Sequence, residues 1–494
     1  MQQKIILRNY SLEKNFFIIL GIYLLTHLIF RLIISNSLEI DEAEMVLWFQ
    51  SPFHLGYNSQ PPLYYWIQML FFYLFGLNIF SLSLLKNFLF FLIYLFLYKS
   101  AKEILKHPWY SIFSVVSLFL VYNFSWILYK DATHSILVLV ICAITLYLFI
   151  KLLTYGSFKY YFLFGIFMGL GFLSKYNYFL FILSLIFSGL TIKDYRRYIL
   201  DKKMLISLFL AFIIILPHLF WCIDNFGKLM VDKEKLNMAN SGNLIFILKG
   251  ILAFLKKSLI FLFPLFFIYF LIFREGFRKK EFSFQENKII TLFKRFFLIF
   301  ILITTSLIIF FKITDIQVRW ILPFLFLFPL YFFIHLKNIP LNPLKIKIFL
   351  ILVLIFASLV LFSLPGRVFF ASLRHKYSRL NYPYKELSEI IKKNYFKKGL
   401  ILAQNYIIGA DLKLNFKDSL VISPDEKINF PLPKEKKPVL IVWEDKDSQN
   451  VCGSLGRILD KLKLDYTNLS PFTLEALYKY SVNRYYKIKL LVVN

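Results

Sequence analysis

The 494-residue sequence holds only 3 Cys, 17 Gly and 17 Pro. So few cysteines exclude a disulfide scaffold, and so little Gly and Pro excludes a collagen-like or low-complexity chain. Acids are scarce: 29 Asp and Glu stand against 58 Lys and Arg. Charged residues reach only 18 %, too few for a disordered chain. What is abundant is apolar. Hydrophobic residues make up 59 % and Phe alone supplies 60 positions, whereas an ordinary soluble domain is about 45–50 % apolar. Mean hydropathy is +0.64. One soluble globule could not bury so much apolar side chain, so the composition indicates a polytopic membrane protein.

A bilayer span takes about 20 mostly apolar residues. Such runs lie near 15–35, 81–98, 109–128, 133–150, 160–174, 176–192, 204–221, 258–273, 292–311, 320–336 and 346–364, predicting about eleven transmembrane helices. Only Lys175 divides 160–174 from 176–192, and 61–77 offers a further span. The runs are continuously apolar, which excludes an alternating strand barrel. With the N-terminus in the cytoplasm, Lys and Arg crowd the inside segments, notably 193–203 and 274–295. The first run lacks a small-residue cleavage site after it and reads as an anchor. The basic charge is therefore topological, meeting anionic lipid head groups. No basic stripe interleaves with aromatics on a soluble face, so nucleic acid is not an expected partner.

Eleven spans put the C-terminus outside. Residues 1–365 are expected to form the membrane domain, with a first outer loop at 35–80. Residues 366–494 read as a small α/β extracytoplasmic domain. Its short apolar runs at 400–403, 420–423, 439–443 and 488–493 predict strands, and 455–464 and 473–480 predict helices. Cys452 is the only Cys of that region, and Cys142 and Cys222 read as packing residues in or near spans.

The informative segment is the first outer loop. Glu39, Asp41, Glu42 and Glu44 fall within six positions, and no Lys or Arg lies between Arg31 and Lys86. Acids beside a membrane interface without a local basic partner are costly to desolvate. Either they form a solvated loop face, or they are a carboxylate cluster for acid–base work or metal binding. Glu44, Leu47 and Trp48 share one helical face, which suggests an interfacial helix. Pro61-Pro62 opens another, with Tyr64, Tyr65 and Trp66 at head-group depth.

Asp131 stands at the start of the fourth run. It is either a helix N-cap or first-turn acid, or a group facing the same outer cavity as Asp41. His134 lies one turn further on. Lys175, Arg319 and the set Lys249, Lys256 and Lys257, on one helical face, either snorkel to head groups or cradle a lipid-linked phosphate.

Several motifs together resemble the GT-C glycosyltransferases, in the broad dolichyl-phosphate-mannose protein mannosyltransferase-like group that includes the lipid A aminoarabinose transferases. They are Asp41-Glu42 in a long outer loop, Gly-Tyr-x-x-x-Pro-Pro-Leu-Tyr-Tyr-Trp at 56–66, Asp131, Gly-Leu-Gly-Phe-Leu-Ser-Lys-Tyr at 169–176 and Arg-Trp-Ile-Leu-Pro at 319–323. The resemblance covers roughly residues 1–340. One position departs from it. In the aminoarabinose transferases a Glu-Lys pair precedes the two prolines, and here Ser59-Gln60 stands there. An acid and a base expected at the donor phosphate are gone, which puts aminoarabinose, and lipid A as acceptor, in question.

The resemblance implies an inverting transferase that takes a hexosyl or pentosyl group from a polyprenyl-phosphate donor to a glycolipid, cell-envelope glycan (lipopolysaccharide included) or protein. It implies a bacterial-type cytoplasmic membrane, with the chemistry on the outer side. Asp41 is the expected base, and Glu42 and Asp131 the other catalytic candidates. Glu44, Tyr57, Gln60, Lys175, Tyr176, Lys249, Lys256, Lys257 and Arg319 are the substrate-binding candidates. A divalent metal, Mg or Mn, held by Asp41 and Asp131 stays open as an alternative to lysine and arginine at the leaving phosphate. Two other functions stay open: a transporter or flippase of lipid-linked saccharides, and a non-catalytic membrane subunit.

Overall fold

The computed structural model describes residues 2–51, 53–57, 60–227, 244–278, 288–336, 342–424, 430, 438–444, 455–462 and 470–493. Ser59, Cys452 and the end of the helix expected at 455–464 lie outside them. The helices run α1 (Gln2–Ile34), α2 (Ile40–Trp48), α3 (Leu63–Phe75), α4 (Ile79–Leu105), α5 (Pro108–Val116), α6 (Leu128–Lys130), α7 (Thr133–Tyr155), α8 (Phe158–Ser174), α9 (Tyr178–Leu190), α10 (Lys193–Ile199) and α11 (Lys203–Asp224). They continue as α12 (Leu244–Arg278), α13 (Lys288–Phe311), α14 (Val318–Leu325), α15 (Phe328–Leu336), α16 (Pro343–Phe369), α17 (Tyr384–Asn394), α18 (Tyr406–Asn415) and α19 (Gly456–Lys461).

The long apolar runs of residues 1–365 are mostly helical, and the protein is a multi-pass membrane protein. Among the described residues eight helices are long and apolar enough to cross a bilayer, or nine if one bent pair is a single span. The bend falls in the run at 109–128. There a 3₁₀ turn (Ser117–Leu120) reaches Val121, whose backbone is extended, and the chain turns by 73° into Asn123–Lys130. The two runs flanking Lys175 are separate helices of 17 and 13 residues. At 1.5 Å per residue these are about 26 and 20 Å long, short of the ~30 Å hydrocarbon core. Lys175 itself is extended (φ −167°, ψ 141°) and separates them.

The chain divides into two compact units. The first comprises Met1–Leu24, Leu55–Tyr64 and Phe88–Val360. Its central helix is α7, apolar all round and almost wholly buried, as a helix without a polar face must be. Helix α8 packs on α11 through Gly165 and Gly169. A Cβ on Gly165 would sit 2.6 Å from the Ser207 Cα, so only a small residue permits this approach. Aromatic stacking fills much of the rest, as between Tyr269 and Phe332 (3.9 Å) and between Phe300 and Phe324 (3.8 Å).

The second unit comprises Leu25–His54, Tyr65–Asn87 and Leu361–Asn494. The expected boundary at 365/366 thus falls inside helix α16, and most of the first outer loop clusters with the C-terminal region. That region carries a five-stranded sheet of β1 (Leu400–Ala403), β2 (Leu420–Ile422), β3 (Val439–Glu444), β4 (Phe472–Leu477) and β5 (Tyr485–Val493), in the order β2-β1-β3-β5-β4. β1 lies parallel to both β2 and β3, and β5 is antiparallel to β3 and β4. All four side chains of β1 are buried, which is why it reads as an unbroken apolar run. One expectation is corrected here: 473–480 is edge strand β4 and a turn, not a helix. Leu474, Glu475, Ala476 and Leu477 are good helix formers, but ladder pairing with β5 overrides so weak a preference.

Candidate active site

The acidic segment folds as a short helix because its first turn is well furnished. Glu39 is the N-cap in extended backbone, and Asp41 and Glu42 follow in the first turn, where negative charge complements the helix dipole. The Glu42 carboxylate reaches back to accept from the Glu39 amide (3.1 Å), one half of a capping box. Glu42 is only 2 % exposed. Arg31 donates to its Oε2 at 2.7 Å, and Lys86 approaches its Oε1 at 3.4 Å. Arg31 also donates to the carbonyls of Ser35 (2.9 Å) and Ser37 (2.7 Å). Burial alone would raise the Glu42 carboxyl, but Arg31 and Lys86 outweigh it and bring it down to about 2.

The expectation of acids lacking a basic partner is therefore corrected. The two cations that bracket the acidic stretch in sequence converge on Glu42. Glu39 in turn accepts from Arg367 (3.1 Å), and Glu44 accepts from the Tyr65 hydroxyl (2.7 Å). Asp41 is half-buried on the next helical position to Glu42, about 100° around the helix.

A second constellation belongs to the other unit. Asp131 closes α6 in extended backbone, and Ala132 follows in the left-handed region at φ 79° before α7 starts at Thr133. The N-cap is thus Ala132, and Asp131 is neither cap nor first-turn residue. A left-handed alanine costs roughly 1–2 kcal/mol, and such strain tends to persist at functional sites. His134 and Ser135 occupy the first turn of α7, and the Tyr64 ring packs on His134 (5.2 Å). Lys175 donates to Ser135 Oγ (2.7 Å) from the break between α8 and α9. Asn177, at the start of α9, donates to the carbonyls of Arg319 (3.3 Å) and Trp320 (3.2 Å). The ends of four helices thus gather Asp131, His134, Lys175 and Arg319 in one region, with the Arg319 side chain exposed.

The Gly-Tyr segment is bridged to Gln60. Tyr57 and Gln60 exchange backbone bonds (3.2 and 2.8 Å), and the Tyr57 side chain is buried. His218 Nδ1 donates to the Leu55 carbonyl (2.6 Å), leaving Nε2 to accept from the Tyr176 hydroxyl (3.2 Å). The Trp221 indole stacks on His218 and lies against Gly56. A Cβ on Gly56 would sit 2.3 Å from that ring. Gly56→Ala is therefore expected to lower stability by about 1–3 kcal/mol through overpacking, read as a lower melting temperature in detergent. An unchanged melt would show that the backbone at Gly56 can shift freely off the indole.

The three lysines of α12 have different surroundings. Lys257 pairs with Asp315 (2.5 Å), Lys249 lies over the Phe246 ring (5.6 Å) and Lys256 is exposed. Among the described residues no three His, Cys, Asp or Glu side chains group where they could hold an ion, and Asp41 and Asp131 belong to different units. Sequence reasoning did not single out Gln50, Ser135, Asn177, His218, Asp315 or Asp411. For His218 a signal existed: it is a polar residue inside an apolar run.

Residues 59–221 match the dolichyl-phosphate-mannose-protein mannosyltransferase family. The chain is 30 % identical over 438 residues to the lipopolysaccharide core galacturonosyltransferase RgtA of Rhizobium johnstonii, covering 87 % of this chain and 86 % of that protein. To RgtB of the same organism it is 28 % identical over 433 residues, covering 86 % of each. In fold it is similar to ArnT from Cupriavidus metallidurans. The structure bound to undecaprenyl phosphate superposes with a TM-score of 0.61 at 12 % identity, over 96 % of this chain and 97 % of that one. The apo structure superposes with a TM-score of 0.65 at 11 % identity, over 97 % and 98 %. The resemblance carried by the Asp-Glu pair and the Pro-Pro-Leu segment is thereby upheld, and this chain belongs to the glycosyltransferase family of RgtA, with a fold similar to that of ArnT.

Proposed function

We propose that this glycosyltransferase moves a sugar from a polyprenyl-phosphate donor to a saccharide of an outer-leaflet or periplasmic glycolipid, inverting the anomeric centre. The undecaprenyl phosphate bound to ArnT is the model for the donor lipid, and the names of RgtA and RgtB make a hexuronate the first sugar to test and a lipopolysaccharide core the first acceptor. The setting is a cytoplasmic (inner) membrane, with the N-terminus inside and the C-terminal region in the periplasm.

One observation carries the residue roles. Glu42 is buried and ion-paired with Arg31 and Lys86, whereas Asp41, beside it on the helix, is half-buried, which supports Asp41 as the acid that meets a substrate. Asp41 takes the proton of the acceptor hydroxyl as its oxygen attacks the anomeric carbon. The bond from that carbon to the phosphate oxygen breaks, and polyprenyl phosphate leaves with the electron pair. Lys175, Arg319, Lys249 and Lys256 offset the charge on the leaving group. Asp131 orients the acceptor, and Tyr57, Gln60 and Tyr176 are further substrate-binding candidates. A membrane enzyme holds donor and acceptor in one plane, which supplies proximity.

The test is direct transfer. Purified protein in detergent is given polyprenyl-phosphate sugars and a truncated lipopolysaccharide core, and products are read by mass spectrometry. An acceptor heavier by one sugar, with release of polyprenyl phosphate, is the expected result. Adding EDTA, then Mg or Mn, in the same assay tests whether Asp41 and Asp131 serve a divalent ion. No transfer from any such donor, with donor movement across vesicles instead, would replace this reading with a flippase.

A further inference from the structure

We infer that Gln50 and Asp411 are positioning residues for Asp41: the C-terminal α/β region grips the acidic helix at both ends. The catalytic consequence rests on the transferase reading of Asp41, while the grip itself does not.

Helix α2 has nine residues, too few to hold its shape or pose without tertiary contacts. Its C-terminal end is fastened to the sheet. β2 is an edge strand, and such a strand presents unpaired amides and carbonyls on its open side. At Val421 one side chain fills both. Gln50 Oε1 accepts from the Val421 amide (2.7 Å), and Gln50 Nε2 donates to the Val421 carbonyl (3.0 Å). The glutamine side chain thus stands where a next strand would pair.

The N-terminal end is held from α18. The Leu38 amide donates to Asp411 Oδ1 (3.0 Å), and Asp411 is buried. Between the two ends α18 lies along α2, with the Cβ position of Gly409 3.9 Å from Leu47. The Ser37 hydroxyl adds a bond to the Tyr382 carbonyl (2.7 Å). Burial pushes the Asp411 carboxyl well above the usual range, although the Leu38 amide and Arg31 pull the other way. Asparagine, which keeps the acceptor oxygen without charge, is therefore its conservative replacement. A base displaced by about 1 Å can lose ~10²-fold in rate, so loosening either end should cost turnover more than donor binding.

The experiment has two arms, one independent of activity. Hydrogen exchange on the detergent-solubilised full chain reads the amides of residues 40–48, and steady-state kinetics read turnover and donor KM. Gln50→Ala and Asp411→Leu are expected to speed exchange across 40–48 by about tenfold or more. They are expected to lower kcat by about 10- to 100-fold, with donor KM within about twofold. Asp411→Asn is expected to restore both. Phe472→Ala, at the opposite sheet edge against Tyr395, controls for general weakening of the region and should leave kcat unchanged. Wild-type exchange in Gln50→Ala, faster exchange with full turnover, or an equal loss of kcat in Phe472→Ala would each overturn the proposal. A wild-type chain without transfer would overturn the transferase reading instead, and the exchange arm alone would then decide the grip.

Discussion

Asp41→Asn is expected to lower the transfer rate by about 10³-fold, within the roughly 10²–10⁴ that a positioned general base supplies. The amide keeps the size of the carboxylate, and the first turn of α2 retains Glu42 for its cap, so the protein should fold and melt as wild type does. Single-turnover measurement with saturating donor separates this from a binding defect, since the loss belongs in the chemical step. Glu44→Gln, which keeps an acceptor for the Tyr65 hydroxyl, should cost far less. Asp131→Asn should raise the KM for the acceptor as well as lower the rate. If both Asp41→Asn and Asp131→Asn turn over within tenfold of wild type, the assignment of a carboxylate base in this chain is wrong.

Glu42→Ala should behave quite differently, because it removes the counter-charge from two buried cations. Breaking a buried ion pair by deleting one partner costs about 3–5 kcal/mol. Here both Arg31 and Lys86 lose their partner, and the Glu39 amide loses its acceptor. The expected result is a large drop in melting temperature and in the yield of monodisperse protein. Acid supplies an independent reading. The Glu42 carboxyl is held at about 2, below its ordinary value of 4.5. A depressed carboxyl contributes stability that is present above the unfolded value and lost as pH falls through the folded one. The contribution is on the order of 3 kcal/mol and should vanish between about pH 5 and pH 2. Melts recorded across that window should converge for wild type and Glu42→Gln at the acid end and part at neutral pH. A Glu42→Ala protein that melts like wild type but has lost turnover would return Glu42 to the list of catalytic acids.

The membrane part of the fold was legible because its signal is compositional. A helix is the cheapest way to satisfy backbone groups in hydrocarbon, so each long apolar run was already committed to helix. The break at Lys175 was marked by the lysine between two apolar runs. The bend at Val121 was not legible, because its local sequence looks like its surroundings and the break depends on what packs against it. In the C-terminal region the buried strands β1, β2, β3 and β5 announced themselves by apolar runs. β4 did not, since its edge position tolerates a helix-forming sequence once β5 is there to pair with.

The site was half legible in the same way. The sequence by itself determined that acids gather in one loop, that prolines follow them, and that Asp131, Lys175 and Arg319 open or interrupt helices. These are facts of order along the chain. Only the tertiary structure decided which acid of the pair is buried among cations. Arg31 and Lys86 lie 11 positions before and 44 positions after Glu42, and no pattern of spacing says that both fold back onto Glu42 and not onto its neighbour Asp41. Charge pairing across such separations is a property of packing. Adjacent residues on a helix point about 100° apart, so the fold buries one carboxylate of the pair among cations and leaves the other half-buried.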